Sequence, residues 1–180
     1  MNTPLVSAIV VNWNGGTMLQ DAIASLTAQT WPRLEIILVD QQNLLGPQTV
    51  EALARLGWTA RSVAADVFDW LQGKEAADIT LANLFLHHFP EERLKFLLAL
   101  AAPRTEMFVA CEPRRGGLPL LCSRLLGLIG CNSVTRHDAV VSVRAGFRAR
   151  ELSALWPRED RWRLEERAAG AFSHLFVARR

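Results

Sequence analysis

No apolar run in this 180-residue chain is long enough to cross a bilayer: the longest, Leu118 to Cys131, is interrupted by Arg124 and falls short of the roughly 20 residues a span requires. The N-terminus lacks a succession of basic, apolar and small residues, so a cytoplasmic protein without stable membrane insertion is expected. Cysteine is sparse. Cys111, Cys122 and Cys131 are odd in number, form no CxxC pair and have no histidines at ligand spacing, which predicts reduced thiols and no bound metal. No basic run is interleaved with aromatics, so nothing points to nucleic acid. Repeats, low-complexity tracts and linkers are also missing, and with half the residues apolar the length suits one globular domain over 1–180.

The charge present is unevenly distributed. Residues 1–103 carry 6 basic and 10 acidic side chains, whereas residues 104–180 carry 14 basic and 8 acidic. Nearly all the basic residues are arginine, whose planar fork suits carboxylate or phosphate, although arginine enrichment also follows from a GC-rich genome.

Strand and helix patterns alternate along the chain. Strands are predicted at Val6–Val11, Leu34–Asp40, Thr59–Ala65, Asp78–Asn83, Met107–Cys111, Arg161–Ala168 and Phe172–Ala178. Helices are predicted at Thr17–Ala28, Gln48–Leu56, Glu91–Ala101, Leu118–Leu128 and Arg150–Leu155. This is an α/β pattern with a mostly parallel sheet. The three residues between the last two strands force an antiparallel hairpin at its end.

Two of these strands end in an acid. In an open parallel sheet ligands bind beyond the carboxyl ends of the strands, so Asp40, with Gln41 beside it, is placed to accept from both hydroxyls of a ribose. Asp66 is placed to accept from an adenine amine while Val67 and Phe68 hold the ring. The competing reading is that each aspartate caps the turn or helix that follows.

From Leu34 to the C-terminus the chain resembles the class I S-adenosylmethionine-dependent methyltransferases. The resemblance rests on Asp40 as the ribose acid, Asp66 as the adenine-side acid, Asn83 in ADITLANLFLHHF at the end of the fourth strand, beside the cofactor's sulfonium and the substrate, and Cys111-Glu112-Pro113 closing the fifth. It implies a three-layer, Rossmann-like, seven-stranded sheet with an antiparallel last strand, and S-adenosyl-L-methionine as cofactor. The first 40 residues instead resemble the opening of a family 2 glycosyltransferase, through VVNWNGG and the downstream VD, which suggests a chimera whose first βαβ unit comes from that family. No Asp-x-Asp metal motif follows. On the methyltransferase pattern Asn12 stands where an acid is expected, and Gly15 and Gly16 supply what remains of the glycine loop around the cofactor.

Methyl transfer needs an aligned nucleophile and, for a hydroxyl or amine, a base. His87 and His88, in the turn before Pro90-Glu91-Glu92, are candidates for that base, although one could simply pack on the sheet and the other cap the turn. His137, with Asp138 as its orienter and Arg136 to grip an anionic or phenolic oxygen, forms a second candidate cluster, which would equally make an ordinary polar turn. Arg114, with Arg115, could meet a substrate carboxylate or merely hinge the segment that follows. The resemblance implies a substrate lid over residues 117–148, with Leu118–Ile129 as a helix covering a hydrophobic acceptor pocket, although plain core packing explains its leucines equally well. Asn83 is not followed by Pro-Pro-Tyr, the sequence expected of many amino-methylating enzymes of nucleic acids. The expected function is therefore O- or N-methylation of a small aromatic or lipid-like acceptor. The alternatives are a nucleotide-sugar-binding, glycosyltransferase-like protein and a non-catalytic methyltransferase-fold module.

Overall fold

Two apolar runs at the start of the chain become adjacent parallel strands, β1 (Val6–Val11) and β2 (Leu34–Asp40), paired from Val6 opposite Leu34 to Val11 opposite Val39. The computed structural model describes residues 6–11, 34–40, 46–55, 57–73, 76–157 and 160–180. The expected helix Thr17–Ala28 lies outside them. The chain divides into two units, the first Met1–Leu81 with Arg104–Glu106, the second Ala82–Pro103 with Met107–Arg180.

In the first unit β3 (Thr59–Ala64) and β4 (Ala77–Asn83) complete a parallel order β3-β2-β1-β4. Strand order therefore reverses at β1, the kind of position at which open α/β sheets bind ligands. Helix α1 (Pro47–Arg55) starts on proline, whose fixed φ and missing N–H suit a first helical position, and it buries Leu53. It stops at Gly57, which takes a φ of +78°. The short α2 (Val67–Leu71) buries Phe68 and Leu71.

The second unit begins with a tight turn and α3 (Glu91–Ala101), whose Leu94, Leu97, Leu98 and Ala101 recur at helical spacing and are buried. β5 (Thr105–Pro113) alternates, so that Phe108, Ala110 and Glu112 share one buried face. After it come α4 (Gly117–Leu125), a 3-10 turn over Leu126–Ile129, α5 (Ser133–Ala145) and α6 (Glu151–Leu155). The chain closes with β6 (Arg163–Ala169) and β7 (Ser173–Arg179), in the order β5-β7-β6. β7 is antiparallel to both neighbours, and Gly170, at a φ of +75°, opens the three-residue turn of the hairpin. The pairings of β1 with β2 and β4 and of β2 with β3 are thus parallel, whereas β7 pairs antiparallel with β5 and β6.

Aromatic packing holds the second unit. Trp156 lies 5.1 Å from both Phe108 and Trp162 and 5.5 Å from Phe176, ring centre to ring centre, and all four are buried. Each such pair contributes about 0.5–1.5 kcal/mol beyond burial of area. Arg180 lies 4.8 Å above the Trp162 ring.

Segment 117–148 differs from the reading as one helix followed by a polar turn. Helix α4 stops at Leu125, and α5 takes up Thr135–Asp138, with the Asn132 side chain accepting from the Thr135 N–H at 2.8 Å as its cap. This cap starts a helix that buries none of its own residues, so no apolar period announces it. The two ends of the excursion are joined by backbone. Phe147 N–H donates to the Pro113 carbonyl and Arg115 N–H to the Phe147 carbonyl, both at 2.9 Å.

Gly146 sits against that join, and a Cβ there would overlap the Pro113 carbonyl group. Gly146→Ala should therefore destabilise the second unit by about 1–3 kcal/mol. Gly117→Ala, at a position open on all sides, should be neutral or slightly stabilising. Urea unfolding of both variants checks this, and equal midpoints would contradict it.

Candidate functional site

Chemistry concentrates where β4 and β5 end. Leu84, directly after Asn83, takes a φ of +51°, a left-handed conformation that costs a branched side chain energy, while its N–H donates to the Cys111 carbonyl at 2.9 Å. The bend turns the next three amides toward Glu112 on β5. Phe85 N–H and Leu86 N–H donate to Glu112 Oε1, each at 2.9 Å, and His87 N–H approaches Oε2 at 3.4 Å. His87 Nδ1 meets Oε2 at 2.7 Å. The Glu112 side chain is fully buried and that of His87 nearly so, at 0% and 4% exposure.

This arrangement satisfies a carboxylate that would otherwise be costly to bury, since each charge-assisted bond contributes about 1.5–3 kcal/mol. It also caps the 3-10 turn Leu86–His88, which has no side-chain cap of its own. With the carboxylate as acceptor, His87 carries its hydrogen on Nδ1, and Nε2 becomes the ring's proton acceptor. Phe85 and Phe89 close the turn edge to face, 4.9 Å apart.

His88 is exposed, and its ring lies 4.1 Å from that of His87. Its pKa is lowered from the ordinary 6.5, chiefly by partial burial and then by His87, with Glu112 and a backbone hydrogen bond to Leu84 opposing. The folded state thus favours neutral imidazole at this position.

A second buried carboxylate repeats the pattern. Glu166 on β6 accepts from Leu152 N–H at 3.0 Å and Ser153 N–H at 2.7 Å, and pairs with His174 Nε2 at 2.8 Å. It caps α6 from a distance and is structural.

The remaining candidates are placed as follows. Asp66 caps α2, its Oδ1 accepting from Phe68 N–H at 2.8 Å, and Phe68 is core while Val67 is half-buried. Asp40 ends β2, opposite Ala64. Asn12, Gly15, Gly16 and Gln41 fall outside the described residues. Asn83 is the exposed last residue of β4. Arg114 donates to the Gly170 carbonyl at 3.3 Å, and Arg115 pairs with Glu151. Arg136, His137 and Asp138 are exposed along α5. There the expected pairing of His137 with Asp138 is opposed by geometry, because consecutive helical residues point about 100° apart. Among the described residues no group of three or more His, Cys, Asp and Glu could hold a metal ion. In sequence Glu112 stands out only as part of Cys111-Glu112-Pro113 at a strand end, with no chemical role, although strand alternation places it on the face of Phe108 and Ala110.

Comparison with known proteins gives the fold. No family model and no curated protein matches the chain. Among solved structures it is similar to the plantazolicin methyltransferase BpumL in complex with a monoazolic desmethylPZN analog and SAH, with TM-score 0.60 and 15% identity over 99% of this chain and 77% of that one. The chain has a methyltransferase-like α/β fold. A putative O-methyltransferase from Nostoc punctiforme matches with TM-score 0.59 and 17% identity over 98% of this chain and 52% of its own. The pyocyanin biosynthetic protein PhzM matches with TM-score 0.57 and 15% identity over 100% of this chain and 52% of its own. The chain thus spans about three quarters of the first and half of the other two.

These alignments take in the first 40 residues and give no support to a glycosyltransferase-like N-terminus or a chimera. Both families open with a strand, a loop, a helix and a strand ending in an acid. The short motif VVNWNGG, taken without its later chemistry, does not separate them.

The lowered His88 pKa fixes a sign. An imidazole that binds its proton less well folded than unfolded makes stability fall as pH drops through 6.5 toward the folded value. Proton NMR of the His88 ring should give a midpoint below 6.5, and a midpoint at or above it would contradict the packing described. Glu112→Ala should cost about 3–5 kcal/mol in urea unfolding, because it strips three amides and an imidazole of a buried partner.

Proposed function

We propose that this chain is an S-adenosylmethionine-dependent methyltransferase acting on a hydroxyl of a small acceptor, with His87 as general base and Glu112 as the residue that positions it. The single observation carrying this reading is the buried Glu112–His87 pair at the ends of β4 and β5, on a chain with a methyltransferase-like fold. A neutral hydroxyl is a poor nucleophile until its proton begins to leave. His87 accepts that proton at Nε2 while the oxygen attacks, and the carboxylate stabilises the imidazolium that forms. The protein's remaining task is alignment. Asn83, at the end of β4, would lie beside the sulfonium and the acceptor, His88, exposed on the turn that follows, would contact the acceptor, and Arg114 and Arg136 would meet an anionic one.

S-Adenosylmethionine supplies an activated methyl on a sulfonium, and four of the similar structures contain SAH, the product left after its transfer. The residues to hold it in the first unit are Asp40 and Asp66, with Asn12, Gly15, Gly16 and Gln41. Asp66 fits this use, since capping α2 occupies Oδ1 and Oδ2 can accept from an exocyclic amine. The sheet arrangement that belongs with this function is the seven-stranded, three-layer one expected of the family, and residues 117–148 would cover the acceptor.

Calorimetry with S-adenosylhomocysteine tests the reading. Micromolar binding is expected, and Asp40→Ala should weaken it by about 1.5–3 kcal/mol by removing an anionic acceptor from two ribose hydroxyls. In a screen of phenolic acceptors with radiolabelled methyl donor, His87→Ala should keep cofactor affinity and lose about 10²–10⁴ in rate. A folded protein that binds no S-adenosylhomocysteine would overturn the proposal and leave a non-catalytic module.

A further inference from the structure

Seven of the twelve exposed large hydrophobic residues among those described fall in one segment, from Leu118 to Val141. Leu118, Leu121, Leu125 and Leu128 recur at helical spacing, so they form one stripe along α4 and its 3-10 extension. At the end of the stripe Leu128 and Ile129 are 81% and 76% exposed, with Val134 close behind in sequence at 65%. Apolar side chains this exposed and this clustered mark an interaction surface.

The charge of the same segment selects the partner. Residues 114–150 contain seven arginines and one acid, Asp138, a balance of +6, whereas the rest of the chain has 13 basic and 17 acidic residues, a balance of −4. Arg124, Arg136 and Arg144 are exposed on α4 and α5. Arg136 lies along the 3-10 turn itself: a Cβ added at Gly127 would meet its Nη1 at 3.1 Å and its Cδ at 3.3 Å. A guanidinium therefore flanks the protruding Leu128–Ile129 pair. Arginine around an apolar wedge with one acid nearby is the composition of a helix that lies in a membrane interface, its leucines at acyl depth and its cations at anionic headgroups. A second copy of the chain suits the surface poorly, since it would bring arginines against arginines.

We propose that α4 and the Leu126–Ile129 turn dock on an anionic lipid surface, without spanning it. No helix among the described residues is long and apolar enough to cross a membrane. The inference does not depend on the methyl-transfer reading, and its test is independent of catalysis.

The test is sedimentation of the full chain with phosphatidylcholine vesicles, with or without phosphatidylglycerol. Binding to the mixed vesicles alone is expected, weakening as salt is raised. The double variant Leu128→Glu/Ile129→Glu should abolish it, and Arg124→Gln and Arg136→Gln should each weaken it about five-fold. These side chains are exposed, so unchanged urea unfolding certifies the variants as folded. No vesicle binding by the parent chain, equal binding to neutral vesicles, or dimers in light scattering that the double variant dissociates would each overturn the proposal.

Discussion

A single buried carboxylate organises the second unit's chemistry. The Glu112 side chain is fully buried, so the main chain must supply its partners, and the strained turn at Leu84 is the conformation that brings Phe85, Leu86 and His87 to it. The cost of a left-handed leucine, about 1–3 kcal/mol, is offset by these bonds. The same constraint sets the tautomer of His87 and seats His88 on its ring. Strand end, turn and imidazoles are one coupled object.

Glu166 shows that this is a repeated solution. The turn at Leu86–His88 and helix α6 both begin without a side-chain cap of their own, and each receives one from a strand glutamate that also holds a histidine. Helix starts are usually satisfied within four residues of sequence. Here the caps arrive across the fold, so each helix start depends on strand placement and cannot form independently of it.

That dependence explains what the sequence disclosed. The strands among the described residues were legible because apolar runs and alternation record burial directly, and the hairpin was legible because three residues between strands leave no other connection. The two histidines were visible as a pair in a turn. The glutamate that orders them was not, since sequence rules for capping are local and its partners lie 25 to 27 residues away. Helix α5 escaped notice because it buries nothing. Asp66 shows the opposite difficulty: a strand-end acid reads the same whether it caps a helix, binds a ligand or does both, and it does cap one.

The excursion between β5 and α6 has a further property, which follows from how its ends are fastened. Pro113, Arg115 and Phe147 are joined through main-chain groups, and at Gly146 a side chain would meet the Pro113 carbonyl. Main-chain fastening is indifferent to most sequence changes. Replacing the exposed faces of α4 and α5 leaves these main-chain bonds intact, because none of them involves a side chain of either helix. Residues 117–145 can therefore be exchanged as a cassette between related chains, and the surface they present can diverge faster than the strands that carry it.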